Sequence, residues 1–573
     1  AKNTTDSLNA SFRVDHDLGQ GNQIRAEYAR RNTARGDLGV GDFDLPERAY
    51  DTDTVSDTFR LRNTRIIGKK VFSELKFEFT SNDATTTPFL LEPTIRVNDA
   101  FTAGGAGQSG IRSSREIELA QNFDFTIRRK HSMRAGVLLE AGWWNSTQQQ
   151  NGNGTYVFTD IDAYNLGRPT NYTIRLGDPL VEYSQVKAGW YLQDDVRVGR
   201  TLSVSLGVRH EVQTQVGKWF NIAPRAAFTW NATRKTTVRG GYGIFYDWYE
   251  ANVYEQTIRV DGQRQVDVVV QNPGFPVIEG GGTRLPASII RSSSLSQPII
   301  QQASIGLERP LTDWVGLRLD YMWTRGSDAL RSVNVNAPTD GVRPDPSAGN
   351  ISEIQSTGRL ASDRLTVGIN ARNQRLRIFT NVRYQLQSVR NFADSATSLP
   401  SESTNPDLDW GPSAQDVRHR LFVMFNAPVV FGIRAGFNMQ VASARPYNIT
   451  TGRDDNGDTV FNDRPTGVGR NGARGASTLD ASLRINKSIG FGGPAGGPGG
   501  MPPLPPPEGG AGGALNQRGP GGGGRGDGPQ IMIVEGSNAR YNTFVGNLLS
   551  PFYGQATSAG PARRVELGMS LGF

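Results

Sequence analysis

Cysteine is absent from this 573-residue chain, which excludes a disulfide framework, thiolate metal sites and a cysteine nucleophile. Histidine is nearly absent. His16, His131, His210 and His419 lie far apart, without the paired spacing that a metal or a catalytic base would need. The chain has no H-E-x-x-H, no G-x-S-x-G and no Walker A sequence. Gly467, Gly469 and Gly472 match G-x-G-x-x-G, but a polar loop precedes them and a strand pattern follows, so the nucleotide-binding context fails. Enzymatic activity and a bound organic cofactor are therefore not expected. Dense blocks of one charge are lacking too. The formal net charge is +7, basic and acidic residues alternate, and nothing marks a nucleic-acid partner.

Long apolar runs are also missing, and none approaches the roughly 20 residues of a membrane-spanning helix. Residues 1–9 carry neither the basic nor the apolar part of a signal peptide. An exported protein with this start is expected to be a mature form, or a piece beginning downstream of other domains.

What the chain does have is a period of two. Leu8, Ala10, Phe12 and Val14 alternate with Asn9, Ser11, Arg13 and Asp15. Met133, Ala135, Val137, Leu139, Ala141 and Trp143 form a second oily row. Val315, Leu317, Leu319, Tyr321 and Trp323 form another, and Leu376, Ile378, Thr380, Val382, Tyr384 and Leu386 alternate with Arg375, Arg377, Phe379, Asn381, Arg383 and Gln385. In an extended strand these sets point to opposite sides. The segments run to about 10 residues or more, enough to cross a bilayer at a tilt. Soluble strands are usually about half that length.

Aromatic pairs such as Trp143-Trp144, Trp190-Tyr191 and Trp219-Phe220 read as interfacial anchors. A mean hydropathy of −0.45 fits this pattern, because only every second residue must be apolar. The fold expected is all-β: a large antiparallel transmembrane β-barrel of roughly 20 or more strands occupying 1–573, in contact with outer-membrane lipid of a Gram-negative cell. Inward carboxylates such as Glu116, Glu118 and Asp320 would then be solvated by a wet lumen.

The C-terminal stripe Val565, Leu567, Met569, Leu571 and Phe573 resembles the signal by which barrel-assembly machinery recognises a last strand. Tight turns near Gly68 and near Thr233 and Arg234 contrast with long polar connections at about 35–53, 271–297, 332–357 and 391–415, the usual barrel asymmetry. The tract 490–529 is almost wholly Gly and Pro and is expected to be disordered. Its Arg525-Gly526-Asp527 triplet is read as chance. Asp454, Asn456, Asp458 and Asp463 set oxygen ligands at alternate positions, like the first half of a calcium loop without its closing Glu. Asn456-Gly457 is also a strong two-residue hairpin turn, and the turn is the favoured reading with calcium as the alternative.

Several runs resemble TonB-dependent receptors of the Oar-like kind. These are 39–50 (GVGDFDLPERAY), 191–198 (YLQDDVRV, with Val196 where the family's F-x-Q-D-D-W-R-V has Trp), Ala223-Pro224-Arg225 and 238–247 (VRGGYGIFYD). They continue with 454–465, Gly469-Arg470-Asn471, Val545-Gly546-Asn547-Leu548 and 550–555 (SPFYGQ). The tract 490–529 departs from the family pattern as an insertion.

The resemblance implies uptake of an extracellular ligand, driven through TonB acting on a plug domain. The family's regulatory-like domain, TonB box and plug are not in this sequence, and first strands of the family barrel are expected to be absent with them, so coupling would require parts upstream. The alternatives are a passive pore, or an adhesion or secretion barrel presenting long loops. Trp248 and Tyr249 are the aromatic candidates for touching a ligand.

Overall fold

The computed structural model describes residues 3–487, apart from 42, 69, 99, 129 and 279–281, together with 535–537 and 544–556. The tract 490–529 and the stripe Val565, Leu567, Met569, Leu571 and Phe573 lie outside these residues. Among those described, the wall is a single sheet of 21 strands. Its first half contains Thr4–Gly19, Asn22–Leu38, Tyr50–Ile67, Val71–Pro88, Gln108–Ile127, His131–Ser146, Val181–Arg197, Leu202–Gln213, Ile222–Thr233 and Thr236–Tyr246. Its second half contains Ile299–Pro310, Val315–Asn334, Ile351–Asn373, Ile378–Asn391, His419–Pro428, Ile433–Ala442 and Thr478–Lys487.

Each of these pairs antiparallel with its neighbour in the chain. The meander satisfies backbone groups along the strands' shared edges, which a bilayer requires because hydrocarbon offers no hydrogen bonds. No helix among the described residues is long and apolar enough to cross a membrane.

The register places the two faces as the alternation requires. Leu139 stands opposite Leu119 on one side and Ala188 on the other, while its neighbour Glu140 stands opposite Glu118 and Lys187. Val137 and Leu139 are 56% and 46% exposed, values that make sense only for a surface meant for lipid. Leu8, Phe12, Leu206 and Ile305 continue that outer band. Trp190 departs from its anchoring role. It sits within Val181–Arg197, opposite Val137 and His210, rather than at a strand end.

Short turns collect at one end of the strands. Gly19, Gln20 and Gly21 all take positive φ (81°, 55° and 71°), which lets the chain reverse between its first two strands. Long loops collect at the other end, the extracellular one by the barrel rule. Two of them are shorter than the sequence suggests. The first strands continue to Leu38 and resume at Tyr50, and the later pair continues to Asn334 and resumes at Ile351.

Three loops build something the alternation does not announce: a six-stranded cap sheet. It combines Thr94–Val97 and Phe101–Gly104, Thr155–Phe158 and Asn171–Gly177, and Gln265–Gln271 and Thr283–Arg284. Val97, Tyr156, Phe158 and Tyr172 form its buried core. Phe275 stands edge-on to Tyr156 and Phe158 at 5.1 and 5.2 Å. Arg175 and Asp267 face each other across adjacent cap strands and form a bidentate pair at 2.7 and 2.9 Å.

Candidate ligand-binding site

The third of these loops also carries the helix Ala251–Arg259, and this helix is inverted relative to an ordinary amphipathic one. Its buried residues are Glu255, Thr257 and Arg259. The Arg259 guanidinium donates to Ser146 Oγ at 2.9 Å, to the Gln148 carbonyl at 2.7 Å, to the Pro179 carbonyl and to Glu255 Oε1 at 2.6 Å. Glu255 in turn accepts from Tyr183 Oη at 2.9 Å and pairs with Arg112 at 3.1 Å. Both charges are nearly inaccessible, and a charge is tolerated there because it is matched and hydrogen-bonded. The network fixes the helix against the top of the wall.

Just before the helix, Trp248 and Tyr249 part company. Tyr249 is 1% exposed and packs with Val216, Leu295 and Ile354. Its carbonyl accepts from Gln185 Nε2 at 3.0 Å and Gln213 Nε2 at 2.6 Å, and its N–H donates to Gln213 Oε1 at 2.9 Å. Tyr249 is therefore a structural anchor, and its assignment as a ligand contact is corrected: no ligand reaches a ring packed on all sides. Trp248 lines a cavity of about 900 Å³, and the Lys187 ammonium lies 5.5 Å from its ring centroid.

Ile299, Ile300 and Leu330 are among that cavity's apolar lining residues, the exposed Asp247 and Glu250 contribute carboxylates, and the segment 394–397 lines it as well. The size suits a drug-sized molecule or a few residues of a peptide, with the apolar lining supplying contact and the carboxylates orientation. Beneath it the lumen wall carries charge ladders. Arg60 pairs with Glu78 at 2.8 Å, Lys187 with Glu140 at 3.2 Å and Arg318 with Asp320 at 2.6 Å. Glu118 falls between Glu78 and Glu140 in register. Glu116 and Asp320 share the same inward alternation.

The loops around the cavity are fastened by arginines. Arg470 reaches the Asn391 carbonyl at 2.9 Å and pairs with Asp394, and Arg464 pairs with Asp409 at 2.5 Å. Arg331 bridges to Asp407 at 3.3 Å. Burial works to raise the Asp394 carboxyl, but the Arg470 charge and hydrogen bonds from Asn391 and Ser413 outweigh it and hold it below the usual carboxylate range. The Arg470 signal was visible in the sequence as part of Gly469-Arg470-Asn471; Asp394 had no such mark.

Asp454, Asn456, Asp458 and Asp463 fall in the long loop between strands Ile433–Ala442 and Thr478–Lys487. No strands flank Asn456-Gly457, so the hairpin reading is corrected: these residues turn within a bent loop, with Gly457 at φ 72°. Asp458 and Asp463 are buried, at 0% and 6% exposure. Burial, with the like charge of Asp454 nearby, pushes each carboxyl up to about 6. The G-x-G-x-x-G glycines lie in the same loop, followed by strand Ala473–Arg474 rather than a helix.

A family model described as an outer membrane beta barrel domain matches residues 1–218 and 215–521. The chain belongs to that family. It is thus an outer-membrane barrel of a Gram-negative bacterium, as the strand lengths and the lipid-facing row require. No curated protein matches it.

Among solved structures, the barrel is similar to the siderophore receptor PirA of Acinetobacter baumannii, with a TM-score of 0.60 and 11% identity over 99% of this chain and 71% of that one. It is also similar to the outer membrane transporter YddB of Escherichia coli, with a TM-score of 0.58 and 12% identity over 85% of this chain and 62% of that one. FpvA of P. aeruginosa, solved bound to heterologous pyoverdines, gives 0.58 and 9% over 99% and 65%. At these identities the likeness is one of fold. The chain spans about three fifths of the length of the E. coli transporter.

Proposed function

We propose that this barrel is the conduit of an Oar-like TonB-dependent receptor, taking up an extracellular ligand with energy supplied through TonB. The observation that carries the reading is a cavity of about 900 Å³ held by loops at the mouth of a charged lumen, on a barrel whose relatives in fold are receptors and transporters. The cavity supplies capture and the charge ladders supply a hydrated route. The receptor's plug and TonB box would be contributed upstream of Ala1.

The test is intact mass and peptide mapping of the native protein from an outer-membrane fraction, followed by cross-linking to TonB. Support is a mass well above 62.4 kDa, with plug peptides ahead of Ala1 and a TonB adduct. A native chain that begins at Ala1 and forms no adduct would leave a passive pore or surface barrel. The cap sheet keeps the surface-interaction reading in view, because it raises an ordered platform of strands above the membrane. Ligand-dependent growth that persists without TonB would favour it.

A further inference from the structure

We propose that the loop 454–463 is a calcium site that fastens the long extracellular loops to one another. Calcium loops of the helix–loop–helix type take oxygens from positions one, three, five and seven and require a sharp turn at position six. Counting from Asp454, those positions are Asp454, Asn456, Asp458 and Val460, with Thr459 at the sixth. Thr459 takes φ 71°, the left-handed conformation that a β-branched residue resists. Thr459 N–H donates to Asp454 Oδ2 at 2.9 Å, and Val460 N–H donates to Asp458 Oδ1 at 2.8 Å. The chain is thereby wrapped around its own side-chain oxygens.

What points to a ligand is the state of the remaining oxygens. Asp458 is fully buried, and its Oδ2 has no hydrogen-bond partner; Asp454 Oδ1 is likewise buried and unpartnered. An ionised carboxylate oxygen without a partner in such surroundings costs several kcal/mol. Arg343, whose charge is felt by both aspartates, gives its N–H groups to the Asn336 carbonyl at 2.8 Å and to Asn350 Oδ1 at 2.9 Å instead. Asp463, at the tenth position, adds a third acidic side chain and ties back through its Oδ2 to Asp455 N–H at 2.9 Å.

Among the described residues no group of three or more histidine, aspartate or glutamate side chains is arranged so that it could hold a metal ion by itself. Asp454 and Asp458 therefore need Asn456 Oδ1 and main-chain carbonyls to complete a shell. That mixture of hard oxygens suits calcium, which accepts six to eight of them in adaptable geometry, better than magnesium, which insists on a tight octahedron. Asn456 is oriented for this role by donating through Nδ2 to the Ser401 carbonyl at 3.1 Å.

The site would act on more than its own loop. Asn350 Nδ2 donates to the Asp458 carbonyl at 2.6 Å, and Asn462 Nδ2 donates to the Leu399 carbonyl at 3.1 Å. An ion here draws the loops containing 335–350 and 392–418 onto the loop that carries 454–463, around the rim that holds Asp394.

The experiment uses the full-length native protein in detergent micelles, stripped with chelator and titrated with calcium chloride by calorimetry. The expected result is one site per chain with a dissociation constant of about 0.1–1 mM, the range of extracellular modules, and calcium-dependent protection of 392–418 and 448–472 from protease. The double variant Asp454→Asn/Asp458→Asn should bind at least about tenfold more weakly. Asp455→Asn, an exposed aspartate outside the alternate set, should bind as the native protein does. Asp463→Asn alone provides a milder variant if the double variant fails to assemble, and it too should weaken binding. No heat at millimolar calcium, in protein that keeps the heat-modifiable migration of a folded barrel, overturns the proposal. Binding unchanged in Asp454→Asn/Asp458→Asn, or in Asp463→Asn, overturns it as well.

Discussion

Replacing Arg259 with Ala should open the helix Ala251–Arg259 while leaving the wall intact. The guanidinium and its partner Glu255 have side chains only 3% and 6% exposed, so solvent does little to screen their attraction. Its loss also strips hydrogen bonds from Ser146 Oγ and from the Gln148 and Pro179 carbonyls. Removing one member of a buried pair typically costs about 3–5 kcal/mol. Glu255 retains Arg112 and Tyr183, so the lower end applies here, about 3 kcal/mol. That corresponds to roughly a hundredfold rise in the local opening equilibrium.

Hydrogen exchange read by mass spectrometry in micelles resolves it. Peptides covering 247–264 should lose about two decades of protection, and peptides from His131–Ser146 should lose none. Adding Glu255→Gln to Arg259→Ala removes the stranded charge and should recover part of the loss. Unchanged exchange in the helix refutes the reasoning. Equal loosening of helix and wall refutes it too, because Arg259 would then support the barrel rather than the helix.

Gly177 takes φ 116°, and a Cβ there would lie 2.0 Å from the Arg264 carbonyl oxygen; Gly177→Ala should cost the cap sheet about 2 kcal/mol or more and expose 155–177 to protease without changing barrel migration. Asp394 is held below its ordinary range in the folded protein, so its contribution is complete at neutral pH and is lost as pH falls through that depressed value. Loop 392–418 should accordingly stay protected from exchange at pH 5 and loosen only as pH falls below the ordinary carboxylate range, whereas Arg470→Gln should loosen it at neutral pH by about 1.5–3 kcal/mol; equal protection at neutral pH would refute the assignment. Leu139→Arg places a charge on the lipid side and should cost about 2–4 kcal/mol near the bilayer midplane, reducing the heat-modifiable fraction, while the adjacent lumen-side Leu138→Arg should assemble almost normally.

The wall was legible because its chemistry is local. Val137 and Leu139 on one side, and Glu140 between lumen carboxylates on the other, follow from a two-residue period and need no knowledge of what lies far away in the chain. The mouth was not, because its contacts join distant segments. Thr94–Val97 runs parallel to Thr155–Phe158, and Asn171–Gly177 finds Gln265–Gln271; strands of four to seven residues are too short to declare a period.

The helix escaped notice because the residues it buries, Glu255, Thr257 and Arg259, are those a hydrophobic pattern assigns to water. Trp248 and Tyr249 show the limit most sharply. They are adjacent and chemically alike, yet two glutamines from strands far along the chain decide that one ring is buried and the other lines the cavity.

These two regimes also differ in how they come apart. The wall is held by continuous ladders, so opening it means losing many backbone bonds together in a solvent that cannot replace them. The loops are held at a few points, Arg470 on Asp394, Arg464 on Asp409 and Arg259 on Glu255, which are shielded while the loops are closed and meet water only when one opens. Each fastening is worth a few kcal/mol, so a ligand that competes for one aspartate or one arginine has enough energy to release a loop and too little to disturb a strand. A mouth built this way can change shape around its cavity while the barrel below keeps a constant bore.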